Sequence, residues 1–179
     1  SKMGWVKDYE AEVEEKGSAG YFKLVEGDNR FVLLTHTERL AQVWDGGKYR
    51  IAQEGDTGIS IKGLCWVYQD GKIKQAKLPW TAVKAIAAIL ENPDWGFEEF
   101  PFAHVINIHA KNAGTKEAEY TVTPSPKAVV VPKEILAELK EKDTPEQIVE
   151  KMRSQRDSGK SIESYGTEVP DIDPKDIPF

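Results

Sequence analysis

Sulfur, histidine and long apolar runs are all scarce in these 179 residues, and each scarcity excludes something. The single cysteine, Cys65, rules out an internal disulfide and any zinc site built on cysteines. It fits a reducing, cytoplasmic compartment. The longest apolar run covers only residues 85–90, far short of the roughly 20 residues that a membrane-spanning helix needs. The first residues contain no apolar core of a secretory signal. The three histidines, His36, His104 and His109, form no metal-binding motif, and His104 and His109 have opposite strand parity and so face apart. A phosphate loop, a glycine-rich dinucleotide turn and a His-Glu-x-x-His zinc helix are all missing, and no nucleophile with a nearby base can be named. The expectation is a protein that is not an enzyme and carries no cofactor and no metal.

Positive charge is also short, since the formal net charge is −6. The acids concentrate at the ends. Residues 159–179 hold two lysines against five acids, and residues 1–20 hold three lysines against five acids. The body between them is close to neutral. A local cationic groove remains compatible with this balance, but charge alone does not suggest a nucleic-acid partner.

What is present is β-rich. Residues 1–20 form an acidic N-terminal segment that ends in Gly17-Ser18-Ala19-Gly20, a linker composition. Residues 21–127 read as one domain. Strands are predicted over 29–35, over 41–44 and 48–52 around Asp45-Gly46-Gly47, and over 59–69 and 72–78 around Asp70-Gly71. A helix is predicted over 81–91, with Val83, Ile86, Ile89 and Leu90 on one stripe, Thr81 as its cap and Asn92-Pro93 as its stop. Two more strands follow, 103–110 and 119–123, the second ended by Pro124 and Pro126. Three strand regions, a helix and two strands are the order of an OB-fold β-barrel, with the helix between strands 3 and 4. Residues 128–157 then supply C-terminal helices. One opens at Pro132, and one starts at Thr144-Pro145-Glu146-Gln147, a capping box with proline at the first helical position. They either fold back on the barrel or contact a partner. Residues 158–179 read as a disordered, flexible acidic tail.

The chemistry concentrates on the strand of residues 60–68. Alternation places Lys62, Leu64, Trp66 and Tyr68 on one face, and the Asp70-Gly71 turn brings Gln75 and Lys77 beside them. Flat rings among lysines suit single-stranded nucleic acid, because rings stack on any exposed base while ammonium groups follow the phosphates. The alternative for Trp66 is a core residue, since tryptophan is usually well buried. Trp44 and Tyr49, with Lys48 and Arg50, make a second basic and aromatic surface at a hairpin tip. Lys111 and Lys116 flank the loop between the last two strands, and Tyr120 faces either groove or core. At the other end of the chain, Asp176, Ile177, Pro178 and Phe179 combine an aromatic ring with acidic groups in a segment where proline forbids a helix. Such an ending suits capture by an apolar socket with a cation beside it.

Several stretches carry a family resemblance. The acidic ending resembles the tip of bacterial single-stranded DNA-binding proteins, which recruits replication and repair enzymes. Residues 24–34 (LVEGDNRFVLL), 66–74 (WVYQDGKIK), 77–79 (KLP), 92–97 (NPDWGF) and 119–124 (EYTVTP) resemble the single-stranded DNA-binding proteins of tailed bacteriophages and prophages. The resemblance covers residues 21–127. It implies an OB-fold that binds single-stranded DNA without sequence preference, in replication, recombination or repair. The cysteine insertion that binds zinc in some phage relatives is absent. Bacterial and phage types assemble differently, so a homo-oligomer stays open. Two rivals also stay open: a single-strand annealing or recombination mediator, and a β-rich adaptor that binds only protein.

Overall fold

The structure, a computed structural model, describes residues 20–163. Its strands are β1 (Gly27–Leu33), β2 (Glu38–Asp45), β3 (Lys48–Ile51), β4 (Ser60–Gln69), β5 (Lys72–Pro79), β6 (His104–Lys111) and β7 (Glu119–Ala128). Helix α1 (Trp80–Glu91) lies between β5 and β6, and α2 (Lys133–Lys140) and α3 (Pro145–Glu163) follow β7. The sheet is antiparallel throughout its named ladders, in the order β3-β2-β4-β1-β6-β7, with β5 paired to the other edge of β4.

Strand β4 is the hub. Its first half pairs with β2 (Leu40 opposite Lys62), its second half with β1 (Leu33 opposite Val67), and its far edge with β5 along the whole length. Two tight turns set these registers. Asp70 and Gly71 both take positive φ, 53° and 75°, as a two-residue hairpin turn demands. Trp66 therefore faces Gln75, and Leu64 faces Lys77, the register expected from the sequence. Gly46 and Gly47, at φ 61° and 91°, do the same between β2 and β3.

The sheet does not close on itself. Among the described residues, β5 and β7 share no ladder. Part of the outer edge of β5 is taken instead by the chain before β1, where Tyr21 bridges Gln75 and the Phe22 amide donates to the Gln75 carbonyl at 2.9 Å. Helix α1 packs against β4, β5 and β7. Its approach to β4 is close enough that a Cβ on Gly63 would collide with Val83 Cγ2.

One face of the sheet holds the main core: Phe31, Leu33, Cys65, Val67, Ala76, Leu78, Val83, Ile86, Phe102, Ile106 and Ile108, with Trp80, Trp95, Phe97 and Phe100 around it. Burial pushes the Cys65 thiol well above its ordinary pKa, so it stays a neutral apolar filler. The one deeply buried amide nearby, Asn29, is fully used. Its side chain accepts from the Val25 amide and donates to the Val25, Gly27 and Ile108 carbonyls at 2.9–3.1 Å.

The opposite face carries two smaller apolar clusters, and both are roofed by the C-terminal helices. Val32, Leu34, Ile73 and Val131 pack with Ile135, Leu136 and Leu139 around α2. Leu40, Ile51 and Leu64 pack with Val149, Ile148 and Met152 of α3. The helices thus fold back on the sheet, the first of the two alternatives that the sequence left open.

Three local expectations need correction. Helix α1 begins at Trp80 and not after a Thr81 cap; Pro79 precedes it and no side chain caps it. Strand β7 continues through Pro124 and Pro126 to Ala128, because among the described residues it pairs only with β6 and an edge strand tolerates the missing donors. Helix α3 continues to Glu163, past the point where a linker was expected to begin. The capping box does form: the Thr144 amide donates to Gln147 Oε1 at 2.9 Å and the Gln147 amide donates to Thr144 Oγ1 at 3.2 Å. Among the described residues, no helix is long and apolar enough to cross a membrane.

Candidate nucleic-acid interface

The face of β4 and β5 opposite the main core carries Lys62, Leu64, Trp66, Tyr68, Gln75 and Lys77, as alternation predicts. It is not an open trough. Trp66 is half-buried among the cluster beneath α2. Its indole Nε1 donates to the Asp143 carbonyl at 2.8 Å, and the Lys142 ammonium stands 5.2 Å from the ring centroid. Asp143 and Lys142 both belong to the connection between α2 and α3, so that connection lies directly over the ring. Trp66 is therefore neither in the main core nor free to solvent. Tyr68 is also half-buried in this cluster and lines a cavity of about 710 Å³ with Arg30, Asn107, Lys127 and the 94% exposed Val130.

The second aromatic surface is open. Trp44 is 59% exposed and Tyr49 is 54% exposed. They sit opposite each other on β2 and β3, ring centroids 4.9 Å apart and nearly perpendicular. Each strand end offers its ring outward because the two-residue Gly-Gly turn leaves no loop to cover it. Arg50, expected as a contact, is instead committed to the hairpin's own structure. It holds Asp45 through Nε at 2.8 Å and Asp56 through two parallel bonds at 2.8 Å. These carboxylates raise its pKa, and the pair with Asp56 ties β3 to the following loop.

Beside this hairpin lies a cavity of about 610 Å³ between β2, β3, β5 and α3. Lys48, Tyr49, Arg50 and Lys77 line it, together with Met152 and Arg156 of α3. Arg156 was not foreseen as a site residue; it donates to the Ala52 carbonyl at 3.2 Å. The signal for it was present, since Val149, Met152 and Arg156 share one helical face and Val149 is buried on the sheet.

Lys62 and Lys77 are the electrostatic anomaly of this face. Both are half-buried, and neither has an ion-pair or hydrogen-bond partner among the described residues. Burial alone lowers both pKa values, with no carboxylate to offset it. They occupy diagonal positions on neighbouring strands, Lys77 opposite Leu64 and Lys62 opposite Pro79. The face thus carries two partly desolvated ammonium groups with no carboxylate paired to either.

The remaining residues named from the sequence, apart from Gln75 on the β4–β5 face, lie elsewhere. Lys111 and Lys116 are exposed on the β6–β7 side, and neither lines the two cavities above. Tyr120 is half-buried against the main core. Gln75 is half-buried, and its carbonyl serves the Phe22 amide. His104 and His109 have separate partners, the Ser125 carbonyl and Asp28, both at 2.8 Å. Asp176, Ile177, Pro178 and Phe179 lie outside the described residues.

Comparison of the chain with protein-family models, with curated proteins and with solved structures finds no match.

Proposed function

We propose that this chain binds single-stranded DNA without sequence preference, on an OB-type sheet whose accessible contact surface begins at the β2–β3 hairpin. The OB reading takes β1 and β2 as one bent first strand. In that reading the ladders run β5, β4, β1/β2, β6, β7, with α1 between β5 and β6 and β3 as an added hairpin strand on β2, an order that corresponds to an OB sheet left open between its third and fifth strands. The observation that carries the function is the exposed Trp44–Tyr49 pair beside a cavity lined by Lys48, Lys77 and Arg156. Rings supply stacking with any base, and cations follow the backbone. Lys62 and Lys77, lacking acids of their own, give the phosphates a reason to settle there. The resemblance to phage single-stranded DNA-binding proteins read from short stretches within residues 21–127 points the same way.

In this scheme the protein is not an enzyme and acts in the cytoplasm in replication, recombination or repair. Residues 176–179 recruit partner enzymes. Trp66 and Tyr68 form a second stacking platform that the strand reaches only when the α2–α3 connection moves aside.

Titration with oligo(dT), followed by tryptophan fluorescence at low salt, tests the proposal. Quenching that saturates, and that weakens as salt rises, is the expected result. No binding to oligo(dT) at low salt would overturn it and leave the protein-only adaptor. Deleting residues 171–179 separates the two activities: partner recruitment is lost while DNA affinity holds or rises.

A further inference from the structure

The bend between β1 and β2 and the start of α3 bring three metal-type ligands together. His36 and Glu38 come from the bend and the first residue of β2, and Glu146 comes from the first turn of α3. Their ligand atoms all lie within 4.8 Å of one another. His36 Nε2 is 3.0 Å from Glu146 Oε1 and 3.6 Å from Glu38 Oε2.

We propose that His36, Glu38 and Glu146 form a divalent transition-metal site, of the kind that zinc occupies, which fastens α3 across the sheet. Zinc bonds to imidazole nitrogen and carboxylate oxygen are about 2.0–2.2 Å long, which sets tetrahedral neighbours about 3.3–3.5 Å apart. The two observed separations bracket that spacing. A second observation concerns the nitrogen itself. His36 Nε2 is shut off from solvent and makes no hydrogen bond, although a carboxylate oxygen stands at 3.0 Å. The contact has the length of a hydrogen bond without its alignment, as expected of two atoms that aim at a common third point. The donor set of one imidazole and two carboxylates suits first-row divalent ions, and three protein ligands leave a position for water.

The bend is also held in advance of any ion. The Leu34 amide donates to the Trp66 carbonyl at 3.0 Å, and the Trp66 amide donates to Thr35 Oγ1 at 3.1 Å. An ion here would join that fixed bend to the only ligand on α3, and so tie down the helix that follows the Trp66 cover. The site stands whether or not the chain binds DNA.

Calorimetric titration of the full chain with Zn²⁺, and visible absorption with Co²⁺, test it. The expected result is one equivalent of Zn²⁺ bound, a Co²⁺ spectrum of four- or five-coordinate type, and a rise in melting temperature with the ion. His36→Ala and Glu146→Gln should each weaken binding by more than about tenfold, the least that even outer-sphere changes cost at such sites. His36 and Glu146 are 43% and 67% exposed, and the Thr144–Gln147 capping box does not involve Glu146, so both variants should fold. His109→Ala, which touches a separate pair with Asp28, should leave binding unchanged. No stoichiometric Zn²⁺ binding at micromolar free ion would overturn the proposal and leave the trio as an ion-pair cluster. Binding that survives both His36→Ala and Glu146→Gln would overturn it as well.

Discussion

Replacing Trp44 by alanine separates the proposed DNA-binding surface from the fold. The ring is 59% exposed and meets Tyr49 edge to face at 4.9 Å, so its loss removes an aromatic pair worth about 0.5–1.5 kcal/mol and little buried area. The melting temperature should shift by only a few degrees. A base stacked on the ring is worth about 1–3 kcal/mol, and about 1.4 kcal/mol is tenfold in affinity at 25 °C. Trp44→Ala should therefore weaken oligo(dT) binding about 5- to 150-fold, while Trp44→Phe, which keeps a stacking face, should lose much less. Tyr49→Ala should fall in the same range. The double variant should lose less than the sum of the two, because the rings touch and share a bound strand. Fluorescence anisotropy with a labelled oligo(dT) reads the affinity, and circular dichroism melting reads the fold. Wild-type affinity in both single variants, with melting unchanged, would refute the hairpin as the contact surface.

Three further perturbations address the rest of the architecture. Converting Lys62 and Lys77 to methionine should leave folding stability unchanged or higher, because two uncompensated half-buried charges are removed, yet weaken oligo(dT) binding. In the native chain both pKa values are lowered, so the unfolded chain binds more protons and folding stability rises with pH through a window that begins below the ordinary lysine value of 10.5. DNA affinity should fall over that same window as the ammonium groups discharge, and a pH series of melts and titrations should show opposite slopes. Gly63→Ala should destabilise the fold by about 1–3 kcal/mol, since its Cβ meets Val83 and lies 3.2 Å from Thr37 Cβ. Adding Val83→Ala should recover part of that loss in a denaturant melt. Val149→Asp should unseat α3, because the valine is 2% exposed between Leu40, Ile51 and Leu64. Cleavage by protease between residues 141 and 144 should then accelerate, and oligo(dT) affinity should exceed that of Val149→Asp combined with Trp66→Ala, which loses the same α3 contacts and also the freed ring; equal affinity in the two variants would count against a covered second platform.

The elements that sequence made legible are those governed by local chemistry. Asp70-Gly71 and Gly46-Gly47 need positive φ, and those turns fix the β4–β5 and β2–β3 registers residue by residue. The Thr144–Gln147 box is a four-residue signal and appears as written. Alternation correctly separated Cys65 and Val67 from Trp66 and Tyr68. What alternation cannot express is a third layer. The sheet face bearing Trp66 points away from the main core, yet it lies beneath residues about 77 positions later in the chain. Ile135, Leu136 and Leu139 share one helical face, a spacing that indicates an amphipathic helix without indicating which surface it covers. Arg50 looked like a ligand for phosphate by residue type, and its two carboxylate partners became visible only when β3 and its loop were folded together. His36 and Glu146 are 110 positions apart, beyond any spacing rule.

The hold of the cover decides whether Trp66 can take part at all. Pro145 and Val149 are buried, whereas Ile135, Leu136, Leu139, Ile148 and Met152 are only half-buried, and no residue of α2 is fully buried. Burial of Val149 is worth about 1.5–3 kcal/mol, an amount similar to the 1–3 kcal/mol that one stacked base returns. The cover also supplies the two things a nucleotide would replace: an acceptor for the indole N–H, from Asp143, and a cation over the ring, from Lys142. Val149 is only part of that hold, because Pro145 and the five half-buried side chains add to it, so an incoming strand that stacks on Trp66 and Tyr68 competes with the helices at a disadvantage. In such an exchange the strand gains only the difference between its affinity for the open and the closed form. The hairpin pair Trp44–Tyr49 needs no displacement and in the proposed scheme binds first. The covered pair is added only by strands long enough, or concentrated enough, to outweigh α2 and α3.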